Sequence, residues 1–440
     1  MRLGIGKLFS FNMLWYVYMA ILLNLFVSFL FFRTPFDFYI GYLAFIFLLP
    51  LFLFKFGVPR EIGLIFGVLL LVGVVQSVIG NNEFPEFVQV FVGAFASYLL
   101  FYHLVFNTGT SLQSLFELYL KGAFLCAIVG LFQLASYMVG FVPGYDFAWM
   151  MSGWAMTPGG LFGIRIKTFF GEPTYHAMFL SGAMFVAIHD FIYQASRYFF
   201  SRTTALVMIA GVFVSFSGTI MGALVVSVLI IGLNRGFLRY FLFGFPVAAI
   251  ILFQIVQSNE EFQGRYEGTL NIFLDAPQEA FDVLKYHGSS VILYNNFFIA
   301  KENFKRNPLF GGGLGSHPTA FKKYTLTSDV GIKGFDLNTK DANSMFNRLM
   351  SETGLFGLGL MGYLIFHFFV RRKEEDTEQL WIITGACLVV IFSNLLRQGH
   401  YFLNGFPFYV WIYYRAHLER KEQEMSQGLG SGTSSMTKAN

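Results

Sequence analysis

The sequence predicts an all-α polytopic membrane protein with about 12 transmembrane helices and one large polar loop between helices 9 and 10. Composition is the first reason: 55% of the 440 residues are hydrophobic and 13% are charged, where a soluble domain carries roughly 25% charged residues. Segmentation is the second, because apolar runs near the ~20 residues needed to cross a bilayer recur along the chain. The third is the one long exception. Residues 257–352 mix both signs of charge and hold no run of 18 apolar residues, so they belong in water.

Taken in order, the expected spans are 12–32, 38–56, 61–80, 87–106, 119–140 and 174–194. The apolar region 203–233 is too long for one helix and is interrupted at Ser215-Phe216-Ser217-Gly218, so it reads as two short spans. Spans at 237–256, 353–370, 379–396 and 405–415 complete the set. The opening stretch has a long apolar run and no small-residue cleavage site, and is expected to be a retained first span. Helices 1–9 then occupy 1–256 with an outer loop at 141–173, the polar lobe fills 257–352, and helices 10–12 fill 353–415. The tail 416–440, Gly/Ser/Thr-rich from Ser426 onward, is expected to be cytoplasmic and disordered. Within the lobe, 278–286 and 291–306 have helical apolar spacing, the second stopped by Pro308. Asp341 is expected to start an amphipathic helix with Met345, Phe346, Leu349 and Met350 on one face, ended by Gly354. Such a lobe is either a structural lid over the bundle or the seat of the chemistry. No repeat of 20–50 residues is present.

Charge fixes the expected orientation. With the amino terminus inside, 16 of the 30 Lys and Arg residues fall on the inner side, 4 on short outer segments and 10 in the lobe. Short loops biased in this way obey the positive-inside rule, which puts both termini in the cytoplasm and the lobe outside.

Several function classes drop out. The net charge is only +4 and no basic run is interleaved with aromatics, so nucleic acid is not an expected partner. Cys126 and Cys387 both lie in apolar runs, which excludes a disulfide framework or a cysteine metal site in the lobe. No histidines pair at ligand spacing, no Asp-x-Asp occurs, and Ser316-His317 stands where a nucleotide-binding loop needs Lys-Ser/Thr. No cofactor is expected. Nearly every span lacks Asp, Glu, Lys and Arg at its midplane, which weighs against a proton- or sodium-coupled transporter.

Charged residues gather instead at the outer ends of helices: Arg165, Lys167 and Glu172 before span six, Glu352 at span ten, Arg397 after span eleven. Arg165 can snorkel to lipid headgroups; alternatively its guanidinium fork can hold a diphosphate. Lys167, Glu172 and His176 arrive with it, and Pro173 fits the first turn of span six, whose free N–H groups would face outward. Arg265 opens the lobe in GRYEGTL, and Asn-Pro-Leu-Phe-Gly-Gly-Gly-Leu-Gly at 307–315 is either a flexible turn or a nest of N–H groups for an anion. His317 is a base, a sugar contact, or a residue starting a helix before Pro318.

These pieces resemble the O-antigen ligase and polymerase family, membrane enzymes acting on lipid-linked sugars. RIKTFFGEPTYHAMFL resembles the family's Arg followed by Gly-x-Pro at the start of a span, and SFSGTIMGALVVSVLIIGLNR its Ser-Gly-rich helical hairpin. NPLFGGGLGS resembles its Asn-Pro-Leu-Phe-Gly-x-Gly-x-Gly, and SMFNRLMSETGLFG its Glu-x-Gly before the following span. The four motifs stand in order across most of 150–370. Two positions depart: Thr219-Ile220 replace the Arg that follows Ser-Gly-Ser, and Asn343 stands where the ligases carry His, which favours the polymerase branch.

The resemblance implies a membrane-embedded, GT-C-like, metal-independent glycosyltransferase in the bacterial inner membrane, with its site facing the periplasm. Donor and acceptor would be glycans on undecaprenyl diphosphate, with a flippase and a chain-length regulator of the same pathway as partners. Arg165 and Arg265 would grip the diphosphate; the resemblance leaves the base unassigned, and Glu172 is a candidate for it from its place beside Arg165. Lys167, His176, His317, Arg348 and Arg397 would contact substrate, Arg348 being otherwise a solvated charge. The rivals are an O-antigen ligase transferring glycan to lipid A core and, from another class, a flippase of lipid-linked sugars.

Overall fold

The computed structural model describes residues 11–27, 30–33, 37–151, 154–160, 162–193, 199–235, 260–275, 288–327, 338–372 and 377–436. Helix α1 (Phe11–Phe26) is followed by a small antiparallel hairpin, β1 (Phe31–Arg33) and β2 (Asp37–Tyr39). Then come α2 (Tyr42–Phe56), α3 (Arg60–Val78), α4 (Phe84–Phe106) and α5 (Leu112–Met138). The loop beyond α5 holds the short α6 (Val142–Tyr145) and a second hairpin, β3 (Thr157–Pro158) with β4 (Ile164–Arg165). Helices α7 (Pro173–Tyr193), α8 (Arg202–Phe213) and α9 (Gly218–Arg235) follow. The lobe contributes α10 (Glu260–Asp275), α11 (Gly288–Arg306), α12 (His317–Tyr324) and α13 (Met345–Glu352). The chain closes with α14 (Gly354–His367), α15 (Glu378–Arg397) and α16 (Phe406–Met436).

Among the described residues the protein is therefore mostly helical, with two short hairpins as its sheet. Five helices among the described residues, α3, α4, α5, α7 and α15, are long and apolar enough to cross a membrane, and five shorter apolar helices accompany them. Among the described residues a helix stands at every expected span except 237–256, which lies outside them, as does the expected lobe helix 278–286. The break at 215–218 falls where the sequence places it: α8 ends at Phe213, α9 starts at Gly218, and Phe216 takes φ 42°.

Two boundaries move. The tail is helical through Met436 rather than irregular from 416 onward. In the lobe, Asp341 does not start a helix. Ser344 does, its side chain accepting the Asn347 N–H, while Asp341 sits in the preceding turn and accepts the Asn343 N–H at 3.0 Å. A serine hydroxyl one residue before the helix and an Asp in an Asx turn are both strong caps, and here they occur in series.

The centre of the bundle is where α7 and α15 meet. Their most apolar 18-residue windows are 78% buried, against 17% for α3, which marks α3 as peripheral. In lipid there is little hydrophobic drive between helices, so close packing through small residues takes over. Gly182 of α7 would put a Cβ 2.8 Å from the Ala386 carbonyl of α15, and Gly211 of α8 would put one 2.6 Å from the Ala127 carbonyl of α5. Tyr119 ties the same layer, its hydroxyl donating to the Phe179 carbonyl and accepting the Ala183 N–H, both at 2.9 Å. The first turn of α7, the last turn of α15 and the first turn of α9 emerge together at the end of the bundle that carries the lobe.

Candidate active site

A cavity of about 570 Å³ opens at that end. The α7 side supplies Arg165, Glu172, Thr174 and Tyr175. The α8–α9 break supplies Ser217, Gly218 and Thr219, and the end of α15 supplies Ser393, Arg397 and Gln398. From the lobe come Thr269, Ser289 and Ser290, and from the turn before α13 come Asn338, Asp341 and Asn343. Hydroxyls and amides dominate the wall. Two cations and two carboxylates stand among them.

Local sequence explains how each charge is presented. Arg165 ends β4, paired with Thr157 across the hairpin, so the strand aims it rather than a loose loop. Glu172 precedes Pro173, which starts α7, and its carbonyl accepts the His176 N–H at 3.2 Å. The Glu172 side chain is exposed to the cavity, yet protein surrounds it closely enough that burial, together with the charge of Asp341, raises its pKa. Arg397, Lys167 and Arg165 pull the other way. Asp341 is 5% exposed and braced by Asn338 Nδ2 and the Asn343 N–H, each 3.0 Å from Oδ1. Its Oδ2 lies 3.7 Å from His400 Nε2.

Arg265 lies in α10, one turn before the cavity residue Thr269; its side chain is outside the described residues. Lys167 is buried beside the cavity, its ammonium donating to the Gly171 carbonyl at 2.9 Å and sitting 4.7 Å above the Trp154 ring. Burial lowers its pKa to about 8. His176 is inside the helix packing: Nε2–H donates to the Gly211 carbonyl and Nδ1 accepts the Thr168 hydroxyl, both at 3.1 Å.

His317 and Arg348 form part of a second, closed network. Glu352 is its hub. One carboxylate oxygen accepts the Gly315 N–H and the Tyr401 hydroxyl, each at 2.9 Å; the other accepts Arg348 Nε at 3.0 Å and the His317 N–H at 3.4 Å. Arg348 also donates to the Gly399 carbonyl and lies 4.6 Å above the Tyr401 ring, so it is not a solvated charge. His317 donates from Nε2 to Asn296 Oδ1 at 2.9 Å and accepts the Ser351 hydroxyl at Nδ1, 3.3 Å away. Burial and the nearby Arg348 lower its pKa to about 3. The Gly315 N–H at the end of the glycine loop, with the His317 N–H beyond it, is taken up by the protein's own Glu352 carboxylate.

Of the residues singled out from sequence, the cavity therefore gathers Arg165, Glu172 and Arg397, with Lys167 just behind them. His176, His317 and Arg348 are bonded within the fold and do not line it. Sequence reading missed Tyr175, Thr269, Ser290, Asn338 and the carboxylate of Asp341. The cluster Asn338–Asn343 carried a signal: Asn338, Ala342 and Asn343 all take positive φ, near 56°, in a run where Asn and Asp tolerate that conformation. Among the described residues no group of three His, Cys, Asp or Glu side chains converges as metal ligands would.

Fold and site together define a helical protein with membrane-length helices and a hydroxyl-rich, charge-bearing cavity at one end of the bundle. No protein-family model matches the chain, and no curated protein matches its sequence.

Proposed function

We propose that the protein is a polymerase of surface polysaccharide, a glycosyltransferase that joins oligosaccharide repeat units carried on undecaprenyl diphosphate. The observation carrying this reading is the cavity itself, which puts Arg165 and Arg397 beside Glu172 in a wall of Ser, Thr and Asn side chains. Guanidinium forks match diphosphate oxygens, and hydroxyls and amides match sugar hydroxyls. Asn343 lies in that wall where the ligases of the resembling family carry His, which favours polymerase over ligase.

The acceptor's sugar hydroxyl attacks the anomeric carbon at the reducing end of the growing chain. The bond from that carbon to diphosphate breaks, and undecaprenyl diphosphate departs with the electron pair, held by Arg165, Arg397 and Arg265. Glu172 takes the hydroxyl proton. Diphosphate is a good leaving group, so charge stabilisation does most of the work, and the base adds about 10²–10⁴-fold. Lobe and cavity face the periplasm in this reading, both termini are cytoplasmic, and the flippase and chain-length regulator of the pathway act beside it.

The test is reconstitution. Purified protein in liposomes, given lipid-linked repeat units on the lobe side alone, should lengthen them into a ladder. A flippase leaves their length unchanged, and a ligase lengthens nothing without lipid A core. Either result overturns the reading.

A further inference from the structure

The cavity holds a second carboxylate that the mechanism above leaves idle. Asp341 comes from the turn before α13, far in sequence from Glu172, yet both line the same 570 Å³ cavity. The turn that presents it is held in an unusual shape. Asn338, Ala342 and Asn343 have φ of 56°, 57° and 56°; the two asparagines tolerate that region, and Ala342 is the ordinary side chain held there at a cost. Asn338 Nδ2 and the Asn343 N–H both donate to Asp341 Oδ1, which leaves Oδ2 for its other neighbours. Gly399 presses on the Asp341 backbone so closely that a Cβ there would overlap the Asp341 carbonyl oxygen. A strained, braced and packed turn fixes the position of this carboxylate rather than letting it swing to solvent.

Resting on the glycosyltransferase reading, we propose that Asp341 is a positioning residue of the reaction centre, a carboxylate stationed opposite Glu172 so that the acceptor's proton passes to Glu172. The bookkeeping of the step is unchanged: the acceptor oxygen bonds the anomeric carbon, diphosphate leaves with the electron pair, and the proton goes to Glu172. Asp341 acts on that last transfer without touching the proton. A carboxylate surrounded only by Arg165, Lys167 and Arg397 would be a weak base, since each cation stabilises its ionised form. A fixed anion at the same site counters them, and the charge of Asp341 does add to burial in raising the pKa of Glu172. The groups facing Glu172 are Asp341 from the turn, Arg397 from α15, Arg165 and Lys167 from its own loop, and Tyr175 from α7; His400 lies behind Asp341. The same arrangement lets the cations serve the diphosphate without disabling the base.

Glu172 works ionised, so activity is present above its pKa and lost as pH falls through it. Asp341→Asn keeps the bracing oxygen and removes the charge, so the acid limb of kcat should move to lower pH. Arg397→Gln removes an opposing cation, so the limb should move up. Full-length protein in liposomes, with a diphosphate-linked oligosaccharide as probe, gives rate against pH for wild type, Asp341→Asn, Arg397→Gln and Glu172→Gln. Infrared titration of the carboxyl absent in Glu172→Gln reads the same shift in detergent without turnover, even where a variant is slow. Opposite displacements of the limb, with KM little changed in Asp341→Asn, are the expected result. An active protein whose limb and carboxyl titration stay put in Asp341→Asn overturns the pairing alone. A wild-type protein that never lengthens the probe overturns the glycosyltransferase reading, and this assignment with it.

Discussion

Arg165 and Arg397 approach the cavity from different elements, a strand end and a helix end, and each brings a planar fork. A lysine in either place would keep the charge and lose the paired geometry that a diphosphate rewards. Arg165→Lys should therefore lower the rate of glycan lengthening by about 10²–10³-fold, the usual loss when one donor of a charge-stabilising set goes. Initial rates in liposomes check it, and a ladder formed at the wild-type rate would refute the clamp. His317 makes a different kind of prediction, because it is buried neutral with both ring nitrogens bonded. Its pKa falls from 6.5 in the unfolded chain to about 3 in the fold. Above pH 6.5 neither state carries the proton and the stability is whole. As pH falls below 6.5 the unfolded chain takes up a proton that the fold refuses, which costs at most about 1.4 kcal/mol per pH unit. Melting in detergent between pH 7.5 and 5.5 should show this slope, and His317→Gln should flatten it. The slope is the readout, since the variant also loses a buried bond.

At the scale of elements, the glycine loop 307–315 and the end of α13 form one unit. Gly312 and Gly313 donate to the Ser351 and Glu352 carbonyls at 2.9 Å, and Leu355 and Phe356 donate back to Pro308 and Leu309 at 2.8 and 2.9 Å. Two backbones can lie this close only where side chains are missing. Gly315 has φ 80° and a Cβ there would come within 2.7 Å of the Glu86 carbonyl in α4. Gly315→Ala should thus cut the yield of folded protein severely and lower the melting temperature of what remains; a variant with wild-type yield and melting would show that the loop adapts. This unit shows what sequence can and cannot display. The motif NPLFGGGLG and the Glu-x-Gly at 352–354 were both visible, and so was the need for close backbone approach or an anion. That the two motifs satisfy each other was not visible, because Glu352 and Gly315 are joined only by tertiary packing. The i,i+4 spacing of Arg348 and Glu352 offered the one local clue, and it read equally well as an exposed ion pair. Asp341 escaped for the same reason: an Asp in a turn looks like a cap until packing brings it into the cavity that Glu172 also lines.

For the whole molecule, hydropathy located the apolar helices among the described residues, because a bilayer-length apolar run has few other uses. From charge bias we propose that the lobe-bearing end, where the cavity lies, faces away from the cytoplasm. Helix positions and orientation rest on different physics, so orientation needs its own test. Lys301 on α11 and Lys421 on α16 are exposed and belong to the lobe and the carboxyl-terminal helix respectively. The native Cys126 and Cys387 are buried within the bundle and should stay silent toward a membrane-impermeant maleimide. Lys301→Cys should then be labelled in intact spheroplasts, and Lys421→Cys only after the membrane is permeabilised. The opposite pattern would turn the cavity toward the cytoplasm, where nucleotide-linked donors rather than exported lipid-linked glycans are the available substrates, and the polymerase reading would fall on topology before any assay of activity.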